Sequence, residues 1–358
     1  MTFGAGMPPD IGRRGFRKFA FLALCGTALL SACTEATVSA PPPTSETVVP
    51  APTRRPDTLI RQAELRRARS EREKAANAAA RTAAEQPASR NMRDYLANVQ
   101  QALLARGLMR TDDGRSLGPT TADQLVKDFI QTALHDEYTR QDGKLISRAQ
   151  PAPLRRWPKP VRMNVEFGAS VPPIQRDRYR RDVATFAARL QRVTGHPVLL
   201  VNGGGNFHIF VVSEEERRAL GSRLNTAVPG IPNADVAALV DLAPQNFCTV
   251  FAYSRGEAQA YVAAVAVMRA ELPDKMWISC VHEELAQGMG LANDSPTARP
   301  SIFNDDEEFA LLTHHDELLL KMLYDPRLQV GMTEEQATPI LYQIANELLA
   351  ADNAMASN

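Results

Sequence analysis

Histidine is scarce in this sequence, with 6 residues in 358. A metal centre built on several imidazoles therefore has few places to be. Net charge is lacking too: Lys plus Arg and Asp plus Glu each number 41, a formal balance of zero. No global positive field points to nucleic acid, which is held by clustered Lys and Arg. Cysteines number four, at Cys25, Cys33, Cys248 and Cys280. The apolar run from Phe19 to Ala32 covers 14 residues. A bilayer core needs about 20 helical residues, so this run is too short for a spanning helix. What remains is ordinary for a soluble protein, with 44% hydrophobic and 23% charged residues. The length alone allows roughly two to three domains.

The N-terminus reads as an address. "RRGFRK" (13–18) is a basic leader, the apolar run follows, and "LSAC" (30–33) closes it. Basic, apolar and small segments in that order describe a secretory signal over 1–32. "LSAC" resembles the bacterial lipobox, which implies that Cys33 becomes the lipidated first residue of the mature chain. A plain secretory signal with a chance cysteine is the alternative. Arg13 and Arg14 also suit twin-arginine export, and an ordinary basic leader explains them as well. Lipidation implies a protein anchored on the periplasmic side of a bacterial membrane. Thr34 after the cysteine points to the outer membrane.

Residues 33–57 are proline-rich and aromatic-free, an extended tether. Residues 58–90 form a basic helical stalk: 58–86 lacks Gly and Pro and is rich in Ala, Arg and Glu. From Arg54 to Arg90 there are 10 basic and 5 acidic residues, a balance of +5. Leu59, Ile60 and Leu65 are its large apolar residues, so a solvated stalk and a helix lying on anionic lipid are both open. A helical extension follows at 91–150. In it Tyr95, Leu96, Val99, Leu103 and Leu104 keep helical spacing, as do Leu125, Phe129, Ile130 and Leu134 after a cap at Thr120 or Thr121.

The main domain is expected at 151–335, with a C-terminal helix and tail at 336–358. "PVRMNVEFG" alternates as a half-buried strand. A helix from Gln175 ends at Gly195, and "PVLLV" and "NFHIFVV" read as strands joined by "NGGG" as a hairpin-type turn. "NFCTVFAYS" and "QAYVAAVAVM" are two more strands, followed by the helix "PDKMWISCVHEELAQGMG". The class is α+β, a mixed sheet with packed helices.

In "EELAQGMGLAND" (283–294), Glu283 and Gln287 share a helix face and Gly290 ends the helix. Glu283, Glu284, Gln287, Gly290, Asn293 and Asp294 have the spacing of H-E-x-x-H-x-x-G-x-x-H, and so the chain resembles the metzincin branch of the zincins. "PSIFND" resembles the Met-turn of that family, with Phe303 in the Met position and Asn304 after it. "LLTHHDELLLKMLYDP" resembles the closing helix of matrixin-type domains. The likeness covers about 155–326 and implies a zincin-like twisted sheet with a long motif helix. The whole pattern also resembles a family of alphaproteobacterial lipoproteins of uncharacterised function.

The letters at the ligand positions differ from the family. Zinc takes neutral imidazole, thiolate or carboxylate. Here stand one carboxylate, Glu283, and two amides, Gln287 and Asn293, which are weak zinc donors. The expectation is therefore no zinc and no cofactor, with weak Ca²⁺ binding by Glu283, Gln287, Asn293 and Asp294 conceivable. Glu284 holds the position of the general base. His282 reads as a flank residue, and at most one of His314 and His315 can face a cleft. Two readings of the motif stay open. One is a hydrogen-bonded network in a non-catalytic module that binds a peptide or envelope protein. The other is a hydrolase with atypical ligands that uses Glu284. In an oxidising compartment Cys248 and Cys280 suit a disulfide, and two buried thiols are the alternative.

Overall fold

The computed structural model describes residues 57–358, apart from 142, 143, 257, 305, 357 and 358. The expected signal peptide, Cys33 and the tether up to residue 56 lie outside the described residues. Helix α1 (Asp57–Ala84) covers most of the expected stalk. Its Leu65 is 64% exposed, while Ala80 near its end is buried. Helix α2 (Pro87–Ala105) buries Met92, Leu96 and Leu103. Tyr95 and Leu104 of the same predicted stripe remain exposed. Helix α3 (Ala122–Ala133) starts at Thr121, whose hydroxyl accepts the Gln124 N–H. No helix among the described residues is long and apolar enough to cross a membrane.

A hairpin, β1 (His135–Gln141) and β2 (Lys144–Pro151), forms its own two-stranded sheet. The reading of the sequence missed it. "HDEYTRQ" and "KLISRAQP" carry no clear apolar alternation, and they fell inside the expected helical extension.

The main sheet starts with β3 (Val161–Phe167). Helix α4 (Pro173–Thr194) follows and ends at Gly195 in the left-handed region. Then come β4 (Val198–Val201) and β5 (Phe207–Val212). Three short helices missed in the sequence fill 214–240: α5 (Glu214–Arg218), α6 (Gly221–Ala227) and α7 (Asn233–Val240). Strands β6 (Cys248–Ser254) and β7 (Tyr261–Arg269) lead into the motif helix α8 (Asp274–Gln287). Helices α9 (His314–Leu323) and α10 (Glu334–Ala356) close the chain.

The strand order is β4-β3-β5-β7-β6. The first four are parallel and β6 runs antiparallel at the edge. This corrects the hairpin expected at "NGGG". Strands β4 and β5 are both parallel to β3 and lie on opposite sides of it, so residues 202–206 must cross β3. Gly205 allows the crossing, since a Cβ there would sit 2.7 Å from the Arg162 carbonyl. Asn206 fastens it by accepting from Arg162 N and donating to the Pro160 carbonyl.

Both faces of the central strands are buried, as parallel sheets require. Phe207, Ile209 and Val211 of β5 face the core shared with α4 and α8. Phe210 and Val212, with Val265 and Val267 of β7, face Leu220, Leu224 and Leu239 of the three short helices. Helix α8 is therefore deep inside, and its path out matters. The helix ends at Gln287, and Gly290 follows at φ +130°. A Cβ at Gly290 would lie 2.5 Å from the Arg155 carbonyl. Gly290→Ala is expected to lower stability by about 1–3 kcal/mol from backbone strain alone. Urea unfolding checks this; an unchanged midpoint would refute the role of Gly290.

Candidate functional site

Helix α8 carries polar residues into a buried setting. Trp277 stacks on Tyr179 with ring centroids 3.7 Å apart and donates to Asp182. His282 stacks on Phe186 and accepts the Leu312 N–H at 3.0 Å. Burial and then the nearby Arg189 push its pKa down to about 3. His282 is thus a neutral packing residue on the side away from the cleft.

The other side of α8 floors a cleft of about 970 Å³. Glu283, Glu284, Gln287 and Asp294 all line it. Strand β6 forms one wall, and Glu137 and Tyr138 of β1 contribute to its border together with Asn304 and Glu307 from the loop after the motif. The N-terminal extension holds that loop: Met109 N donates to the Glu307 carbonyl and Arg110 N to the Glu308 carbonyl.

The loop of Phe303 and Asn304 is rigid for a visible reason. Asp316, at 0% exposure, accepts from Ser301 Oγ, Ile302 N, Thr313 N and Thr313 Oγ1. Phe303 is fully buried, and Asn304 donates to the Ala298 carbonyl. The same Asp316 closes a capping box with Thr313 at the start of α9.

The motif residues divide. Gln287 Nε2 donates to Asp294 at 2.8 Å, so these two meet in the cleft. Asn293 does not join them: it is buried, it donates to the Gln131 carbonyl at 2.8 Å, and its own N–H is taken by Thr132. His314 pairs with Asp352 and Arg115, and His315 sits 3.0 Å from Asp128 with both groups at 1% exposure. Neither histidine lines the cleft. The three zinc-ligand positions of the implied family, Glu283, Gln287 and Asn293, therefore do not converge, and as a set they do not fit that ion.

Cys248 at the start of β6 and Cys280 on α8 are joined in a disulfide across 32 residues of sequence. It ties the cleft wall to the cleft floor. The Cys248 sulfur and oxygens of Glu283 and Glu284 lie within 4.8 Å of one another.

Charge is the conspicuous property of this floor. Glu284 is 4% exposed, and its Oε2 has no hydrogen-bond partner among the described residues. Burial and the Asp294 and Glu137 carboxylates hold its pKa well above the usual carboxylate range. Glu283 is raised by burial, then by Asp294, Glu284, Glu307 and Glu137. Tyr138 is also pushed up, by burial first and by Glu137, Glu284 and Asp294 after it. Glu137 and Glu307 were not singled out from the sequence. They are 146 and 24 positions from Glu283, in segments with no motif, and no sequence signal marks them.

The sequence pattern of a family described as "Protein of unknown function (DUF2927)" matches residues 122–343. No curated protein and no solved structure matches the chain.

A carboxyl group whose folded pKa is raised stabilises the fold below its ordinary value of 4.5 and loses that contribution as pH rises. Stability is therefore expected to decline as pH climbs above 4.5 through the raised values. Glu284→Gln is expected to flatten this slope and to gain about 1 kcal/mol or more at neutral pH. Thermal melts across pH check both; a steeper slope in the variant would refute the assignment.

Proposed function

The chain belongs to the DUF2927 family, and from that premise we propose a membrane-anchored periplasmic lipoprotein whose cleft binds a cationic segment of another protein without catalysis. The carrying observation is the buried, unpartnered Glu284 Oε2 on a floor shared with Glu283 and Asp294. Buried charges are normally paired, and a cation from outside would pair the Glu284 oxygen.

An extended basic peptide suits the geometry. Strand β6 is the outermost strand of its sheet among the described residues. Its outer edge can hydrogen-bond an added strand, a common mode of peptide recognition. A Lys or Arg side chain from such a strand would reach the carboxylates below. A zincin-like ancestry supports the same reading. It rests on the mixed sheet with its antiparallel edge strand, the helix broken at Gly290, and the fixed loop at Phe303. In this reading the ligand positions have been put to other uses, Gln287 to hold Asp294 and Asn293 to hold α3.

A second reading, a hydrolase using Glu284, is favoured by one observation. Two neighbouring carboxyl groups with raised pKa values can share a proton and work as acid and base. Weak Ca²⁺ at Glu283, Gln287 and Asp294, the members of the expected set that line the cleft, is a competing occupant of the same floor.

Titration of the full chain with a labelled oligo-lysine peptide and an oligo-glutamate control separates these. The expected result is binding of the basic peptide alone, weakened by salt and lost in Glu283→Gln with Glu284→Gln. Equal binding of both peptides sinks the cationic reading. Cleavage products that vanish in Glu284→Gln establish the hydrolase instead. For the anchor, Cys33→Ser is expected to abolish incorporation of labelled palmitate in a bacterial host. Undiminished labelling refutes lipidation at that residue.

A further inference from the structure

Cys248, Glu283 and Glu284 are the one group of three metal-ligating side chains found this close together among the described residues. Two carboxylates alone select hard cations. A thiolate beside them would change the preference to a borderline ion such as Zn²⁺. As the protein stands, the sulfur of Cys248 is tied to Cys280 and is not a thiolate. We propose that the disulfide masks a zinc site, and that reduction of Cys248–Cys280 exposes a Cys248, Glu283, Glu284 ligand set at the cleft floor.

The geometry supports this in three ways. Ligand atoms around tetrahedral zinc, with bonds of about 2.0–2.3 Å, stand roughly 3.5 Å apart. A group already within 4.8 Å closes to that spacing by small side-chain rotations. The second support is the Glu284 Oε2, buried and without a partner among the described residues, on a side chain that lines the cleft and belongs to this group. The third is access. Cys248 is half-buried and lines the cleft, whereas Cys280 is 2% exposed. A reductant entering the cleft meets Cys248 first.

The chemistry balances with a dithiol as reductant. One thiolate of the dithiol attacks the Cys248 sulfur, forms a mixed disulfide there and expels the Cys280 thiolate. Cys280 takes up one proton. The second thiol of the dithiol then attacks its partner sulfur, leaves as part of a closed disulfide, and frees Cys248. Two electrons pass from the dithiol to the protein. Cys248 binds Zn²⁺ as the thiolate, and its proton goes to solvent. A water completes the fourth position. The site shares two carboxylates with the cationic cleft proposed above but does not depend on a peptide binding there.

The test uses the full chain in three forms: oxidised, reduced by a dithiol that is then removed anaerobically, and carrying Cys280→Ser, which leaves Cys248 without its partner. Each is given Zn²⁺ and analysed for bound metal, then given Co²⁺ and read for a sulfur-to-cobalt charge-transfer band. The reduced protein and Cys280→Ser are expected to hold one equivalent and show the band. The oxidised protein is expected to show neither. Cys248→Ser is expected to lose the band while Cys25 and Cys33 remain. Glu284→Gln in the Cys280→Ser background is expected to weaken zinc at least tenfold. Equal zinc in the oxidised and reduced forms overturns the proposal. So does a band that survives Cys248→Ser, or loss of the fold in both the reduced protein and Cys280→Ser. Peptide binding by the oxidised form is a separate readout, so failure of one reading leaves the other standing.

Discussion

A helix buried on nearly every side has no solvent face on which to place charge. Helix α8 is such a helix: it is wedged between α4 and the sheet, and ten of its fourteen residues are buried. The polar residues along its buried length must each be satisfied within the protein or face the cleft. His282 takes the first course, accepting the Leu312 N–H and shedding its proton. Glu283, Glu284 and Gln287 take the second. An uncompensated buried carboxylate costs several kcal/mol. The neighbouring carboxylates add to that cost, and the raised pKa values of Glu283 and Glu284 express it. The rest of the site follows from this one frustration.

The scaffold around the floor is correspondingly rigid. Asp316 gathers four donors and fixes the Phe303 loop against α9. The disulfide fixes β6 against α8, and a bridge closing a 32-residue span contributes roughly 3–4 kcal/mol in the chain-entropy view. Gly290 fixes the exit of the helix against the Arg155 backbone. These three constraints surround the carboxylates without touching them with a cation. They hold the acids in place against their own repulsion.

Much of this was legible in the sequence, for reasons that can be named. The helices and central strands announce themselves by period, and Thr121, Gly195 and Gly290 mark ends because each has a local physical job. The Cys248–Cys280 disulfide is one of the two readings that counting cysteines left open, and the structure has it. What failed was of two kinds. The "NGGG" turn fits a hairpin as well as a crossing, since glycine permits both; only the position of β3 between β4 and β5 decides. The β1–β2 hairpin has no apolar alternation to reveal it. In the site, Glu283, Glu284, Gln287 and Asp294 are together because they share one short motif. Asn293 lies in the same motif and is turned to α3 by Gln131 and Thr132, a partner that no spacing rule contains. Glu137 and Glu307 come to the floor from distant segments, so their part in the charge could be seen only once the chain was folded.

The acids of the floor tie three variables together. A proton on Glu283 or Glu284 relieves the repulsion, and so does a cation from outside, so proton and cation compete for the same oxygens. Cation binding must then release protons wherever the raised carboxyls are still protonated, and the affinity for a cation must rise with pH over that range. The disulfide adds a third state. While it is intact, the sulfur of Cys248 contributes no charge, and the floor is a set of hard oxygen donors. Once it is opened, a thiolate would join the same repulsive cluster and would need a metal even more than the carboxylates do. The same repulsion that raises the carboxyl pKa values therefore opposes release of Cys248 as a bare thiolate and favours its release as a ligand.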